Sequence, residues 1–264
     1  MLRRALKQLR DGILSIAYPE DCRICGCPVE SYDDGIVCAT CWSDESVTSF
    51  LHQQFVCFKC GVPIIDSSSG TNSPVAKEEH RFCGVCTGSP FTLARSCGAY
   101  TGALEASILF MKTHPHICAR LREILRETFL RHREALAVDV VIPVPLHRMR
   151  ERTRGFNQAT MIAQSLARSF EELRLDERSL VRVKDTERHR AGMDVVDRRR
   201  SVAGAFEVVR PRLIEGAAVL LVDDVYTTGS TVSSAASALV AAGAIRVGVF
   251  TVSRVLARTT RLSR

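Results

Sequence analysis

The chain has 264 residues, of which 46% are apolar and 25% are charged, and its formal net charge is +7. It is long enough for one large domain or two smaller ones, and no run of about 18 apolar residues occurs, which excludes a membrane-spanning helix. The positive charge favours an anionic partner. Phosphorylated metabolites, nucleic acids and membrane surfaces are all anionic, and the charge alone does not distinguish among them.

The first predicted element is an amphipathic helix over residues 1–19. Leucine and isoleucine recur there at helical spacing, with arginine and lysine on the other side. The interleaved charges exclude a signal peptide. We expect a helix packed on the rest of the protein, and the alternative is a helix lying on a membrane surface.

A cysteine-rich segment follows over residues 20–92. The chain has 11 cysteines and no export signal, which predicts a reducing, cytoplasmic location where thiols bind metal more often than they form disulfides. Eight of them form four C-x2-C pairs, which are Cys22 and Cys25, Cys38 and Cys41, Cys57 and Cys60, and Cys83 and Cys86. Two such pairs supply the four thiolates that structural zinc prefers. The segment is therefore interpreted as a double zinc ribbon with two structural zinc ions.

Composition supports this interpretation, because residues 20–90 hold few large aliphatic side chains and include the polar tract 66–74. Structural zinc contributes about 10–16 kcal/mol of apparent folding free energy in small domains and replaces the missing core. Redox C-x-x-C pairs or disulfides are the alternatives, and Cys27 or His80 is close enough in sequence to substitute as a ligand. Closed sites of this kind are structural, and ribbons commonly contact nucleic acid or a partner protein.

The chain from residue 93 onward alternates between strand and helix patterns. We predict strands over 93–102, 138–145, 217–224 and 245–254, helices over 116–136, 159–173 and 230–244, and short extended segments over 179–183 and 204–209. Nearly continuous apolar strands between helices indicate an α/β fold, with a mostly parallel sheet covered by helices on both faces. Ligands of such sheets bind beyond the carboxyl ends of the strands.

The sequence VDDVYTTGST lies at one of these strand ends. The segment Tyr226, Thr227, Thr228, Gly229, Ser230 and Thr231 has the glycine, the hydroxyls and the helix start of a phosphate-binding loop. The preceding Asp223 and Asp224 would repel the same phosphate and instead suit sugar hydroxyls or Mg²⁺. A helix cap without a ligand is the alternative for this loop.

Longer stretches carry a family resemblance. The sequence VLLVDDVYTTGST closely resembles the phosphoribosyl-diphosphate motif of type I phosphoribosyltransferases, in which paired acids hold the ribose hydroxyls and the loop holds the 5-phosphate. Together with SILFMKTH, VIPVPLHRMRERTRGFNQA and residues 182–208, the double ribbon makes almost the whole chain similar to the ComF family.

The resemblance implies a type I phosphoribosyltransferase-like domain over 93–264 that binds phosphoribosyl diphosphate with Mg²⁺. Segment 143–158 would enter the pyrophosphate region, and segment 184–204 would form a lid. The further residues implied to bind phosphoribosyl diphosphate are Lys112, Arg154, Asn157, Gln158, Arg199 and Arg200. Alternatively, the arginines between residues 148 and 154 form a solvated basic surface that binds no ligand.

Two functions follow from the resemblance. The first is transfer of the phosphoribosyl group to an unidentified nucleophile, with a role in bacterial DNA uptake and competence. The second is a non-catalytic protein that keeps the site as a sensor or relic and binds single-stranded DNA or a protein of the competence machinery. The oligomeric state is open, and a homodimer is one option.

Overall fold

The structure is a computed structural model that describes residues 20–44, 56–63, 82–83, 86, 88–185 and 204–256. The N-terminal helix predicted over 1–19 lies outside these residues. The strands are β1 Leu93–Ala99, β2 Val140–Pro143, β3 Arg174–Leu175, β4 Leu180–Arg182, β5 Phe206–Val208, β6 Ala218–Tyr226 and β7 Arg246–Arg254. The helices are α1 Ala39–Trp42, α2 Gly102–Met111, α3 Ala119–Leu136, α4 Arg148–Arg154, α5 Gln158–Ser169 and α6 Ser230–Ala241.

The main sheet has the order β1-β7-β6-β2-β3, and its neighbouring strands are all parallel. Strands β4 and β5 form a separate antiparallel pair. The predicted α/β fold class is confirmed. Because the strands are parallel, the carboxyl ends of β1, β2, β6 and β7 all lie at one edge of the sheet.

Alternating residues of β6 point into two apolar layers on opposite faces of the sheet. Leu220 and Val222 belong to the layer that also contains side chains of α2, α3 and α5. Val219 and Leu221 belong to the layer that contains the buried side chains of α6. Each face is therefore covered by helices, as the continuous apolar sequence of this strand predicts.

Helices α2 and α4 and the strand β3 were not predicted from the sequence. The strand expected over 93–102 ends at Ala99, and the chain enters α2 at Gly102. This helix is apolar around most of its circumference, so the helical period is missing from its sequence. The edge strand β3 is only two residues long and leaves no strand pattern in the sequence.

The cysteine-rich segment packs against the sheet domain on both of its apolar layers. Cys22, Cys38 and Trp42 lie in the layer with α2 and α3. Cys57, Cys60 and Cys86 lie in the layer with α6. The two halves of the duplicated segment therefore contact opposite faces of the same sheet.

Within the described residues, no helix combines the length and the apolar character needed to cross a bilayer.

Candidate phosphoribosyl-diphosphate site

A cleft of about 580 Å³ opens at the carboxyl edge of the sheet. Its walls come from residues directly beyond four strand ends: Tyr100 after β1, Val144 after β2, Thr227 after β6 and Val255 after β7. The position agrees with the general rule for ligand binding by parallel sheets. It is the edge at which the sequence analysis expected the site.

The acidic pair borders this cleft at the end of β6. Asp223 and Asp224 are partly buried, and the Asp224 amide donates a hydrogen bond to Asp223 Oδ1 at 2.9 Å. Burial, and then the neighbouring Asp224 charge, raise the pKa of Asp223 well above its usual range, although the Asp224 amide and Arg182 act in the opposite direction. A cation or hydroxyl donors would relieve this strained pair of charges, as Mg²⁺ or a ribose diol would do.

The loop after β6 turns sharply at Gly229, which has a φ of 75° and caps the N-terminus of α6. Thr227 and Thr231 border the cleft. The Thr228 and Ser230 hydroxyl oxygens lie 2.8 Å apart, and Ser230 is buried. The threonines that flank the turn thus face the cleft, while the two hydroxyls between them bind each other and fix the shape of the loop.

Tyr226 does not face the cleft with its side chain. The phenol is 5% exposed and packs edge to face against Phe91, with a centroid distance of 6.3 Å. A Cβ on Gly229 would approach the Tyr226 hydroxyl to 2.3 Å. The structure therefore places the predicted binding residue Tyr226 under the loop, where its ring supports the turn.

Basic side chains line the cleft together with the acidic pair. Lys112 follows the last residue of α2, whereas Arg150 and Arg154 project from α4. Arg182, at the end of β4, adds a fourth cation that the sequence analysis did not select. A lone arginine in a short extended segment gives no pattern to recognise, because only the fold brings it beside Asp223.

Asn157 and Gln158 border the cleft, but their amide groups already bind protein atoms. Asn157 Oδ1 accepts from the Ala159 amide at 3.0 Å, which caps α5, and Asn157 Nδ2 donates to the Val144 carbonyl at 3.0 Å. Gln158 Nε2 donates to the Met111 carbonyl at 3.0 Å, while its Oε1 accepts from Arg154 Nη1 at 2.6 Å. Their first effect is to hold the arginine and the segment after β2 in place.

The remaining residues predicted to bind phosphoribosyl diphosphate, Arg199 and Arg200, lie outside the described residues, as does most of the predicted lid over 184–204. At its described start, Asp185 Oδ1 lies 3.4 Å from Arg150 Nε. The antiparallel pair β4 and β5 brings the two flanks of this segment together, since the Val183 amide donates to the Ala205 carbonyl at 2.9 Å. The described flanks of this segment therefore lie side by side, next to Arg182.

The predicted ribbon cysteines form two compact groups of four. The first contains Cys22, Cys25, Cys38 and Cys41, the second contains Cys57, Cys60, Cys83 and Cys86, and the sulfurs of each group lie within 4.8 Å of one another. We call them the first and the second cysteine cluster. Cys27 is exposed and belongs to neither cluster, and His80 lies outside the described residues.

The donor set fits tetrahedral zinc. In the second cluster, the Cys60–Cys83 and Cys57–Cys86 sulfur pairs are each 3.5 Å apart, close to the roughly 3.8 Å expected for thiolates bound to one zinc ion. A disulfide would require about 2.05 Å. Burial opposes ionisation of Cys57, but the amides of Cys60 and Cys83 lower its pKa to about 6. The two clusters could each hold a zinc ion.

The chain is similar in sequence to curated bacterial proteins. The chain is 28% identical over 249 residues to DNA utilization protein YhgH of Salmonella typhimurium, covering 91% of this chain and 100% of that protein. It is 36% identical over 118 residues to competence protein ComFC of Bacillus subtilis, covering 44% of each chain. Both relatives carry names that refer to DNA utilization or competence. No family model matches this chain.

A solved structure similar to this chain is the glutamine phosphoribosylpyrophosphate amidotransferase of B. subtilis complexed with ADP and GMP. The sequence identity is 21% and the TM-score is 0.33, over 50% of this chain and 26% of that one.

Proposed function

We propose that the protein binds phosphoribosyl diphosphate in the cleft and transfers its phosphoribosyl group to a nucleophile, in support of bacterial DNA uptake. The observation that carries the proposal is the meeting of three groups at one cleft: the acidic pair, the threonine loop and the basic side chains. An anion-binding loop and a pair of acids at opposite ends of one short segment suit a sugar phosphate, which has an anionic end and a hydroxyl face.

The loop would hold the 5-phosphate. Gly229 allows the backbone to turn there, and the N-terminus of α6 would direct a positive potential towards an anion. Thr227 and Thr231 add hydroxyl donors at the border of the cleft. The buried Tyr226 ring beneath the turn keeps it in one conformation, which reduces the entropy that binding must overcome.

The acidic pair would receive the ribose hydroxyls, and the basic side chains would receive the diphosphate. Gln158 Oε1 accepts a hydrogen bond from Arg154 Nη1 at 2.6 Å, so the guanidinium is already oriented before a ligand binds. Arg150 and Arg182 border the same cleft. Arg199 and Arg200 are proposed to join them when the lid segment covers the site, which would also exclude water from a reactive sugar.

Mg²⁺ bound with the substrate would neutralise the leaving pyrophosphate. The chain's own contribution is then positional and electrostatic. The cations stabilise negative charge that grows on the leaving group, and the acids hold the ribose while C1 gains positive character. The pKa of Asp223 is raised, chiefly by burial and then by Asp224, so cation binding at this pair should favour release of its proton.

Calorimetry tests the binding step. We expect wild-type protein to bind phosphoribosyl diphosphate with Mg²⁺, and the double substitution Asp223→Asn with Asp224→Asn to reduce affinity at least about 100-fold, since two charge-assisted contacts are lost. Asp139→Asn is the matched control, because this exposed carboxylate accepts the Ala218 amide at the opposite end of β6. Equal affinity in the double variant and the control would contradict the proposal.

Turnover requires its own measurement. Wild-type protein with Mg²⁺ should release pyrophosphate from phosphoribosyl diphosphate when the right acceptor is present, and the acceptors to screen first are nitrogen nucleophiles. A protein that binds the substrate but releases no pyrophosphate across the screen would lack the transferase activity while keeping the ligand site.

We further propose structural zinc in both cysteine clusters, a cytoplasmic location, and the domain division into residues 1–19, 20–92 and 93–264. The zinc assignment is supported by the closed four-sulfur groups. Metal analysis of protein purified without chelator should give about two zinc ions per chain. A homodimer is a proposal that sedimentation would test.

A second candidate function is a DNA-binding protein without transferase chemistry. Its support is that the relatives are named for DNA utilization and competence, together with the basic charge of the chain and its two cysteine clusters. This function predicts single-strand binding with a steep salt dependence that persists in the Asp223→Asn, Asp224→Asn variant. Loss of DNA binding in that variant, or its absence at low salt, would refute this candidate.

A further inference from the structure

Arg254, the last residue of β7, holds a guanidinium inside the protein. The residue is 4% exposed. Its Nη1 donates to the Cys60 carbonyl, and its Nη2 lies 3.9 Å from Cys60 Sγ, whereas its Nε is buried without a hydrogen-bond partner. A buried cation is costly unless an opposite charge compensates it. The polar partners of this cation, within the described residues, belong to the second cysteine cluster.

Metal loading supplies the missing charge. Four thiolates around one Zn²⁺ ion carry a net charge of about −2, which the buried guanidinium offsets in part. A second arginine, Arg95, also contacts this cluster. Its Nη2 donates to the carbonyl of Phe58, which lies between Cys57 and Cys60, at 3.0 Å. Arg254 is thus matched to a metal-loaded second cluster.

The same guanidinium contacts the support of the phosphate loop. Its carbon lies 4.7 Å from the centroid of the Tyr226 ring, and the Tyr226 hydroxyl lies directly under Gly229. The main chain continues the connection, since the Arg254 carbonyl accepts from the Tyr100 amide at 2.7 Å and the Val255 amide donates to the Tyr226 carbonyl at 2.9 Å. Tyr100 and Val255 both border the cleft.

The first cysteine cluster has no such connection in the described residues. Its buried cysteines share an apolar layer with α2 and α3. Cys57, Cys60 and Cys86 share the other layer with Tyr226 and with Val232 of α6. Among the residues that the structure describes, direct contacts to the loop come from the second cluster.

We propose that Arg254 is a positioning residue that couples metal occupancy of the second cysteine cluster to the conformation of the phosphate loop. The inference builds on the proposed ligand site and on zinc as the metal. With the thiolates bound to zinc, the guanidinium is held against Tyr226, and Tyr226 holds the turn at Gly229. Without the metal, the second cluster loses part of the negative charge that offsets the guanidinium, the guanidinium moves toward water, and the turn loses its support.

Hydrogen exchange of the peptide 226–232 in the full chain tests the coupling without any ligand. We expect zinc removal to speed this exchange about tenfold in wild-type protein, as a loss of local stability of that size requires. In Arg254→Met the exchange should be fast already and should respond little to zinc removal. A role confined to general stability would leave the zinc response intact in the variant.

Arg246→Met is the matched control, because Arg246 begins the same strand β7 and its Nη1 donates to the Ala135 carbonyl, far from the second cluster. It should keep the wild-type zinc response. Arg254→Lys, which retains the charge, should recover part of the response and serves if Arg254→Met does not fold. An unchanged zinc response in both Arg254 variants would overturn the proposal.

The affinity for phosphoribosyl diphosphate separates this inference from the function on which it builds. If wild-type protein binds the ligand and zinc-loaded Arg254→Met binds it about tenfold more weakly, the result supports both the binding site and the coupling. If the variant binds as tightly as wild type, the coupling fails and the binding site remains. If wild-type protein does not bind, the proposed function fails, and hydrogen exchange alone decides the coupling.

Discussion

Replacing Gly229 by alanine tests the construction of the phosphate loop. The residue has a φ of 75°, which costs an alanine roughly 1–2 kcal/mol. The added Cβ would lie 2.3 Å from the Tyr226 hydroxyl oxygen and 2.7 Å from the adjacent ring carbon. Overlap of this kind in a packed interior costs about 1–3 kcal/mol more. We therefore expect Gly229→Ala to lose roughly 2–5 kcal/mol of unfolding free energy.

Gly216→Ala is the control that isolates the overlap. Gly216 has a φ of 73°, but nothing lies within 4 Å of its added Cβ, so only the backbone cost of roughly 1–2 kcal/mol applies. Urea unfolding of zinc-loaded protein measures both free energies. Adding Tyr226→Phe to Gly229→Ala removes the nearest atom and should recover part of the loss. Equal destabilisation by the two glycine substitutions would refute the packing of Tyr226 beneath the loop.

Three further predictions concern the site and the clusters. Burial and then Asp224 raise the pKa of Asp223, so the folded state favours the protonated acid. Protonation of Asp223 stabilises the fold fully below the unfolded pKa of ~3.9, and this contribution is lost as pH rises through the folded pKa. Asp223→Asn should consequently melt above wild type at pH 7 and equal it near pH 3 by calorimetry, and a lower melting temperature at pH 7 would contradict this. Asn157→Ala should cost about 1–2 kcal/mol in urea unfolding through loss of the α5 cap, whereas Asn157→Asp should keep the cap but lose the hydrogen bond to the Val144 carbonyl. Removal of zinc by a chelator should lower the melting temperature of the whole chain, since both clusters share apolar layers with the sheet, and an unchanged melt would argue against structural metal.

The fold was predictable where local sequence and burial agree. Strands β6 and β7 are apolar because both of their faces are covered, and such runs are visible in the sequence. Helix α2 escaped detection for the related reason that it is apolar on most sides. The pairing of the cysteines into two groups of four was predictable from spacing, because each C-x2-C turn presents both sulfurs to one point.

The candidate site was predictable in part. The motif at the end of β6 indicated which residues to expect at the cleft, but not which of their atoms are already engaged. Asn157 bonds to the Val144 carbonyl and Tyr226 lies under its own loop, and both facts depend on tertiary packing. Arg182 reaches the cleft only because the short strand β4 ends beside it. Sequence patterns report periodicity and local turns, whereas these contacts join segments far apart in the chain.

The contact between Cys60 and Arg254 joins residues 194 positions apart, so it cannot form until synthesis of the nascent chain is nearly finished. All four cysteines of the second cluster leave the ribosome well before Arg254 does. At about 5–20 residues per second, the ribosome needs roughly 10–30 s to add the stretch between Cys86 and Arg254. During that interval the thiolates can capture metal without their arginine, so cofactor insertion can precede, and then guide, the closing of the last strand onto the sheet.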